Sequence, residues 1–291
     1  MTDLAAGVIG LGAMGAPMAR HLSERGLLAA VWNRTAETAE QFARESGARV
    51  AESPARLAEC CNVVLTCVSA DADLLDVVEK LLPGMRPGSV VVDTSTVAPA
   101  TARRVADELT RTGAGFVDAP VSGGVEGARK GTLSVMAGGE SANISRIMPV
   151  LEAIAGTITH MGPVGSGQAT KAVNQVIVAG VAEAVCEALA LAEKLKLPSE
   201  RLFTVLGAGA AGSWFLEHRG QSMLDNEFDV GFKLSLLLKD LRICQSLARE
   251  LDIPVPTVDA ATRDYAELVK MGDGDHDISG LIRLKRKGDD G

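Results

Sequence analysis

Gly7-Val8-Ile9-Gly10-Leu11-Gly12-Ala13-Met14-Gly15 is the stretch on which the reading of this chain turns. An apolar run with strand character ends in G-x-G-x-x-G and passes directly into a helical pattern beginning at Ala16. Gly10 suits a tight turn, Gly12 lets the backbone approach a pyrophosphate, and Gly15 permits close packing of helix on strand. The helix N-terminus then offers free N–H groups and a partial positive charge to the anion. The spacing alone is common; the strand before it and the helix after it give it meaning. Gly10, Leu11, Gly12, Ala13, Met14 and Gly15 are therefore the first candidate cofactor residues.

Outward from this turn, strand-like and helix-like patterns alternate to about residue 163, as in a βαβ architecture. Strands are expected at Leu4–Ile9, Leu28–Trp32, Val63–Val68, Ser89–Asp93, Gly115–Asp118, Leu133–Ala137 and Thr157–Met161. Helices are expected at Pro17–Arg25, Thr35–Ser46, Asp71–Leu82, Pro99–Thr112 and Ser141–Ile154. Right-handed crossovers would make the sheet mostly parallel, with helices on both faces.

After Gly162-Pro163 the pattern becomes almost entirely helical. The segment Gln168–Lys196 lacks proline and would be about 43 Å long as a helix. From Val176 to Leu191 it is apolar on nearly every face, which predicts burial. A membrane span is the weaker alternative, because Glu183 and Glu187 fall where charge is costly. Further helices are expected at Ser199–Leu206, Phe232–Leu251 and Thr257–Met271, with a frayed tail from Leu284 to Gly291. Gly207–Gly212 reads as an interhelical turn rather than a second phosphate loop. The fold class is thus α/β, with a cofactor domain over 1–163 and an all-α substrate and oligomerisation domain over 164–291.

Composition narrows the function. The 291 residues are 47% hydrophobic with a formal net charge of −8, which argues against a nucleic-acid surface. No basic segment followed by an apolar one opens the chain, so a cytoplasmic setting is expected. Five cysteines (Cys60, Cys61, Cys67, Cys186, Cys244) fit neither a zinc site nor a disulfide framework. Four scattered histidines without paired spacing make a metal unexpected.

The end of the second strand bears on the choice of cofactor. NAD-binding folds of this type place an acidic residue there, on the ribose 2′-OH. Here the position reads Trp32-Asn33-Arg34-Thr35. No carboxylate repels a 2′-phosphate, Arg34 can bond one, and Asn33 and Thr35 add neutral donors. NADP is expected, with NAD less favoured. Val68, at the end of its strand, joins the candidate cofactor residues.

Three further stretches carry chemistry. Asp118-Ala119-Pro120-Val121-Ser122-Gly123-Gly124 follows a strand; Ser122 offers a hydroxyl, and Gly123-Gly124 exposes N–H groups that suit a carboxylate. An ordinary turn is the plainer account of the same residues. Lys171 and Asn174 lie three apart at the head of the long helix, on one face. A partly buried lysine there can act as general acid–base, although a snorkelling surface lysine has the same spacing. Lys239-Asp240-Leu241 reads, taken alone, as a solvated charged pair whose members point in different directions.

Together these stretches resemble, in order, the four signatures of the β-hydroxyacid dehydrogenase family, across essentially the whole chain. The matching segments are G-x-G-x-M-G at 10–15, D-A-P-V-S-G-G at 118–124, G-S-G-Q-A-T-K-A-V-N at 165–174 and K-D-L at 239–241. The resemblance implies a Rossmann domain, a helical domain and an active site in the cleft between them. It implies that Lys171 is the catalytic lysine and that Asn174 orients substrate. It places Ser122, Gly123 and Gly124 on the substrate carboxylate, and Thr96 beside the nicotinamide. Phe232, Lys239 and Asp240 would line or close the cofactor cleft. The Trp32–Thr35 segment looks like the NADP-using branch, favouring a semialdehyde or glyoxylate reductase over 3-hydroxyisobutyrate oxidation. The expected partner is a small carboxylate substrate, with a homodimer or homotetramer as the assembly. An imine reductase on this scaffold is the alternative, against which Lys171 counts. Decarboxylating 6-phosphogluconate dehydrogenase, a second relative, is longer and carries histidine where this chain has Val173. A non-catalytic cofactor-binding scaffold would be expected to lack the lysine.

Overall fold

In the computed structural model, which describes residues 4–229 and 231–286, the chain divides into two compact units, 1–171 and 172–291. The first opens with β1 (Ala6–Ile9), α1 (Gly15–Glu24), β2 (Leu28–Trp32), α2 (Ala36–Ser46), β3 (Arg49–Val50), α3 (Pro54–Cys60) and β4 (Val63–Thr66). It continues with α4 (Asp71–Leu81), β5 (Val90–Asp93), α5 (Pro99–Thr110), β6 (Gly115–Asp118), β7 (Val121–Ser122) and α6 (Gly124–Lys130). Then come β8 (Leu133–Gly139), α7 (Ser141–Ile154), β9 (Ala155–Gly162) and the start of α8 (Ser166–Lys194).

The strand order is β3-β2-β1-β4-β5-β6-β8-β7, with β9 pairing β8. From β3 to β6 every pairing is parallel, and only β6/β8 and β7/β8 run antiparallel. Strands β1, β4 and β5 are buried along their whole length, as a sheet covered on both faces requires. One core holds Val8, Met18, Leu65 and Val92; the other holds Ile9, Leu57, Val64 and Val91. Each such aliphatic side chain contributes about 1.5–3 kcal/mol by leaving water.

Several elements depart from the sequence expectation. Helix α3 is capped by Ser53, whose hydroxyl accepts the Arg56 N–H, with Pro54 in its first turn. Helix α6 begins at a glycine pair with positive φ that read as a turn. After it, β8 returns beside β6 in the opposite direction, giving the sheet its antiparallel pairings.

In the second unit, α8 is followed by α9 (Ser199–Gly207), α10 (Trp214–Leu224), α11 (Leu234–Glu250), α12 (Pro256–Lys270) and α13 (Ile282–Arg286). Its core gathers Ala179, Cys186, Leu189, Met223, Leu237, Leu241 and Tyr265. Burial of α8 on nearly every face does not hold. Within 176–191, Ile177 and Leu191 are each 61% exposed while Ala179, Ala182, Cys186 and Leu189 are packed, and Val173, one turn earlier on α8, is 63% exposed. The helix packs along one side only, so the opposite side keeps its apolar residues in solvent.

By length and composition α8 could cross a membrane, yet its Glu183 is seated in an ion pair with Lys285 of α13 at 2.5 Å. Asp264 and Glu187 complete that cluster. The first three residues of the expected frayed tail, Leu284–Arg286, are helical, and Arg286 binds Glu193. Residues 287–291 of the expected frayed tail lie outside the described residues. All five cysteines are free thiols.

Candidate functional site

The glycine turn is shaped by what glycine lacks. At Gly10 φ is +92°, and a Cβ there would fall onto the Cys67 carbonyl oxygen. A Cβ on Gly15 would fall onto the Gly10 carbonyl oxygen, so helix and turn are in backbone contact. Gly12 differs, because nothing lies within 4 Å of a Cβ built on it. Met14, preceding α1, makes no side-chain cap. An open approach at Gly12 before an uncapped helix N-terminus fits a dinucleotide diphosphate. Leu11 turns its side chain into the core and can face a ligand only through its backbone. Ala13 is exposed and Met14 half-buried.

At the end of β2, Asn33 is occupied in shaping the turn. Its Oδ1 accepts the Leu11 N–H at 2.9 Å, and its Nδ2 donates to the Thr35 carbonyl at 3.0 Å. Arg34 is 81% exposed and pairs with Asp73 at 2.7 Å. Sequence reasoning did not foresee Asp73, which a ribose phosphate would have to displace or share.

A buried polar knot joins three of the sequence stretches within the first unit. Asp118, at the end of β6, accepts the Gly165 N–H on Oδ1 at 2.7 Å and the Gln168 N–H on Oδ2 at 2.9 Å. It therefore caps the start of α8 with both oxygens. Burial pushes the Asp118 carboxyl up to about 6, against the pull of those two N–H groups. Gln168, itself 1% exposed, accepts the Val97 N–H at 3.1 Å and donates to the Ser95 carbonyl at 2.8 Å. Thr96 sits between those two anchored residues. Ser95 donates through its hydroxyl to Asp93 at 2.6 Å and accepts the Val68 N–H at 2.8 Å. Lys171 follows Gln168 by three positions on α8 and is 7% exposed, which excludes the snorkelling surface lysine. Ser122 ends β7, and Gly123 and Gly124 lead into α6.

The second unit holds a chain of its own. Asn174 Nδ2 donates to Gln175 Oε1 at 2.8 Å, and Gln175 Nε2 donates to Asp240 Oδ2 at 2.6 Å. Lys239 Nζ lies 2.9 Å from Asp240 Oδ1, and the Asp240 side chain is 2% exposed. A solvated pair pointing apart is thus corrected: the lysine stem bends back over its neighbour, and the carboxylate is held inside by Gln175. Phe232 precedes α11, packs against the helical core and donates its N–H to Asp277 at 2.9 Å. Sequence reasoning missed Gln168, Gln175, Asp277 and the capping role of Asp118.

Comparison with known proteins extends over both units. Residues 5–162 match the family described as the NAD-binding domain of 6-phosphogluconate dehydrogenase. Residues 165–285 match that described as NAD-binding of NADP-dependent 3-hydroxyisobutyrate dehydrogenase. An uncharacterized oxidoreductase of Shewanella frigidimarina is 37% identical, over 96% of this chain and 97% of its own. The 2-(hydroxymethyl)glutarate dehydrogenase of Eubacterium barkeri is 32% identical, over 96% of this chain and 93% of its own. Among solved structures, Mycobacterium tuberculosis 3-hydroxyisobutyrate dehydrogenase with L-serine is 31% identical with a TM-score of 0.89. That likeness covers 98% of this chain and 100% of the other.

Proposed function

This chain belongs to the β-hydroxyacid dehydrogenase family as a nicotinamide-dependent 3-hydroxyacid dehydrogenase, and on that premise we propose a specific reaction. It interconverts a small hydroxyacid of roughly two to five carbons and its semialdehyde or oxo acid, with Lys171 as general acid–base and NADP(H) preferred over NAD(H). The observation that carries this reading is a lysine almost wholly buried in the first turns of α8, just beyond a buried cap.

The nicotinamide, when bound, supplies or accepts the hydride at the substrate carbon. Around that step, Gly10 to Gly15 and the start of α1 would hold the diphosphate, and Val68 and Thr96 would join them in holding the cofactor. Arg34 and Thr35 would bond the 2′-phosphate of NADP, and Asn33 keeps the turn in shape. Ser122 with the Gly123 and Gly124 N–H groups binds the substrate carboxylate, fixing the reacting carbon. In reduction, Lys171 gives a proton to the developing alkoxide oxygen and stabilises its charge. Asn174 bonds the same oxygen, and the Gln175–Asp240–Lys239 chain holds Asn174 in one orientation. Phe232, Lys239 and Asp240 serve the cofactor side.

Residues 1–163 act as the cofactor domain and 164–291 as the substrate and oligomerisation domain. The uncovered apolar side of α8 supports a homodimer or homotetramer; the acidic charge counts against a nucleic-acid partner, Glu183 and Glu187 against a membrane, and the free thiols fit a cytoplasmic enzyme.

The test is consumption of NADPH and of NADH with glyoxylate, succinic semialdehyde, methylmalonate semialdehyde, tartronate semialdehyde and cyclic imines. NADPH turnover with one of the acids and none with the imines is expected. Turnover of imines alone contradicts the reaction. Comparable kcat/KM for the two cofactors, unchanged in Arg34→Asp, contradicts the NADP preference.

A further inference from the structure

The first turn of α8 has no slack. A Cβ on Gly167 would fall onto the Met136 carbonyl oxygen and reach 2.6 Å from the Asp118 carbonyl oxygen. A Cβ on Gly138 would lie 2.6 Å from Asp118 Oδ1 and 2.8 Å from the Gly167 nitrogen. Backbone therefore packs on backbone between the ends of β6 and β8 and the start of the helix. From this contact Gln168 sends a side chain to the segment after β5, where its two amide ends are both used: Oε1 on Val97 N–H, Nε2 on Ser95 C=O. An amide is required there. A carboxylate would set oxygen against the Ser95 carbonyl, and an ammonium could not accept from Val97. The same residue lends its main-chain N–H to Asp118.

From this juxtaposition we propose that Gln168 is a positioning residue for the reaction. It locks the α8 turn bearing Lys171 to the Ser95-Thr96-Val97 segment, fixing the separation between the proton donor and the residue beside the nicotinamide. The inference rests on the reading of Lys171 given above. It goes beyond that reading by assigning the geometry of the donor to a buried amide three residues before it. A polar group at 1% exposure with both ends bonded resists displacement, because any shift leaves buried donors or acceptors unmet.

The experiment is a double-mutant cycle on the full chain, with Gln168→Met made in the native and the Lys171→Ala backgrounds, followed by single-turnover cofactor oxidation. In the native background kcat falls by about 30- to 100-fold, the cost of misplacing a reacting group by roughly 1 Å. Cofactor affinity changes by less than about 3-fold, because the diphosphate residues are untouched. In the Lys171→Ala background the same change costs less than about 3-fold, because the group it positions is gone. Equal losses in both backgrounds overturn the inference and leave Gln168 as plain structural support. An unchanged kcat in Lys171→Ala alone overturns instead the acid–base reading, so the two failures are told apart. Gln168→Glu, which keeps the bond to Val97 and loses that to Ser95, carries the same cycle if the methionine variant does not fold. Loss of fold in both variants also overturns the inference.

Discussion

The Gly10–Gly15 turn and the first turn of α8 each set a helix start against a strand end through glycines, and they differ in what becomes of the helix N–H groups. The first works by omission: Gly10 and Gly15 let backbone touch backbone, and Gly12 leaves open space where a ligand can enter. The second needs the same omission at Gly138 and Gly167, but there the Asp118 carboxylate takes up the helix N–H groups and the Gln168 amide ties the turn to Ser95 and Val97. On the function proposed above, the first turn must expose helix N–H groups to an anion, whereas the second must consume them to hold a proton donor.

Breaking the first arrangement should have the largest effect. Gly15→Ala forces a Cβ against the Gly10 carbonyl and should cost about 3 kcal/mol of stability through overpacking. Dinucleotide affinity should fall with it by about 100-fold, near 2.7 kcal/mol. Denaturant melts and cofactor titration measure both; an unperturbed protein would refute the backbone contact.

Next in size is a pH effect confined to the second arrangement. Burial holds the Asp118 carboxyl at about 6, above its ordinary 3.8, so between those values the folded chain takes up a proton that the unfolded chain releases. Its contribution is most favourable below about pH 3.8, declines as pH rises, and is level above about 6, a total of roughly 3 kcal/mol. The unfolding free energy of the native protein relative to Asp118→Asn should follow that course. A difference that rises with pH across this window would contradict it. Gly12→Ala should do least to the fold, within about 0.5 kcal/mol, because its Cβ meets nothing. It should still weaken dinucleotide binding by about 10-fold, near 1.4 kcal/mol. Loss of stability without loss of binding would reverse the roles of Gly12 and Gly15.

The two regions also differ in how much of them the sequence made legible. The glycine turn is a local matter, readable from nine consecutive residues, and strands or helices with plain periodicity such as Leu28–Trp32, Gly115–Asp118 and Ser141–Ile154 occur where expected. Helix α3 went unread although Ser53-Pro54 is a start signal, because its seven residues are too few to show a period. Helix α6 was hidden behind Gly123-Gly124, which has the chemistry of a turn. The buried knot was illegible for a different reason. Gln168 meets Ser95 across 73 residues, and Gln175 meets Asp240 across 65. Such bonds follow from topology, and no spacing along the chain announces them. Lys171 and Asn174 could be nominated from motif and helix face, whereas the residues that hold them could not.

The measurement that bears most directly on the account is single-turnover reduction by Lys171→Ala, with reduced cofactor and a saturating small oxo acid or semialdehyde, alongside cofactor affinity. The account predicts a rate lowered by about 10²- to 10⁴-fold, with cofactor binding nearly intact. A variant that binds cofactor normally and turns over at the native rate would contradict it.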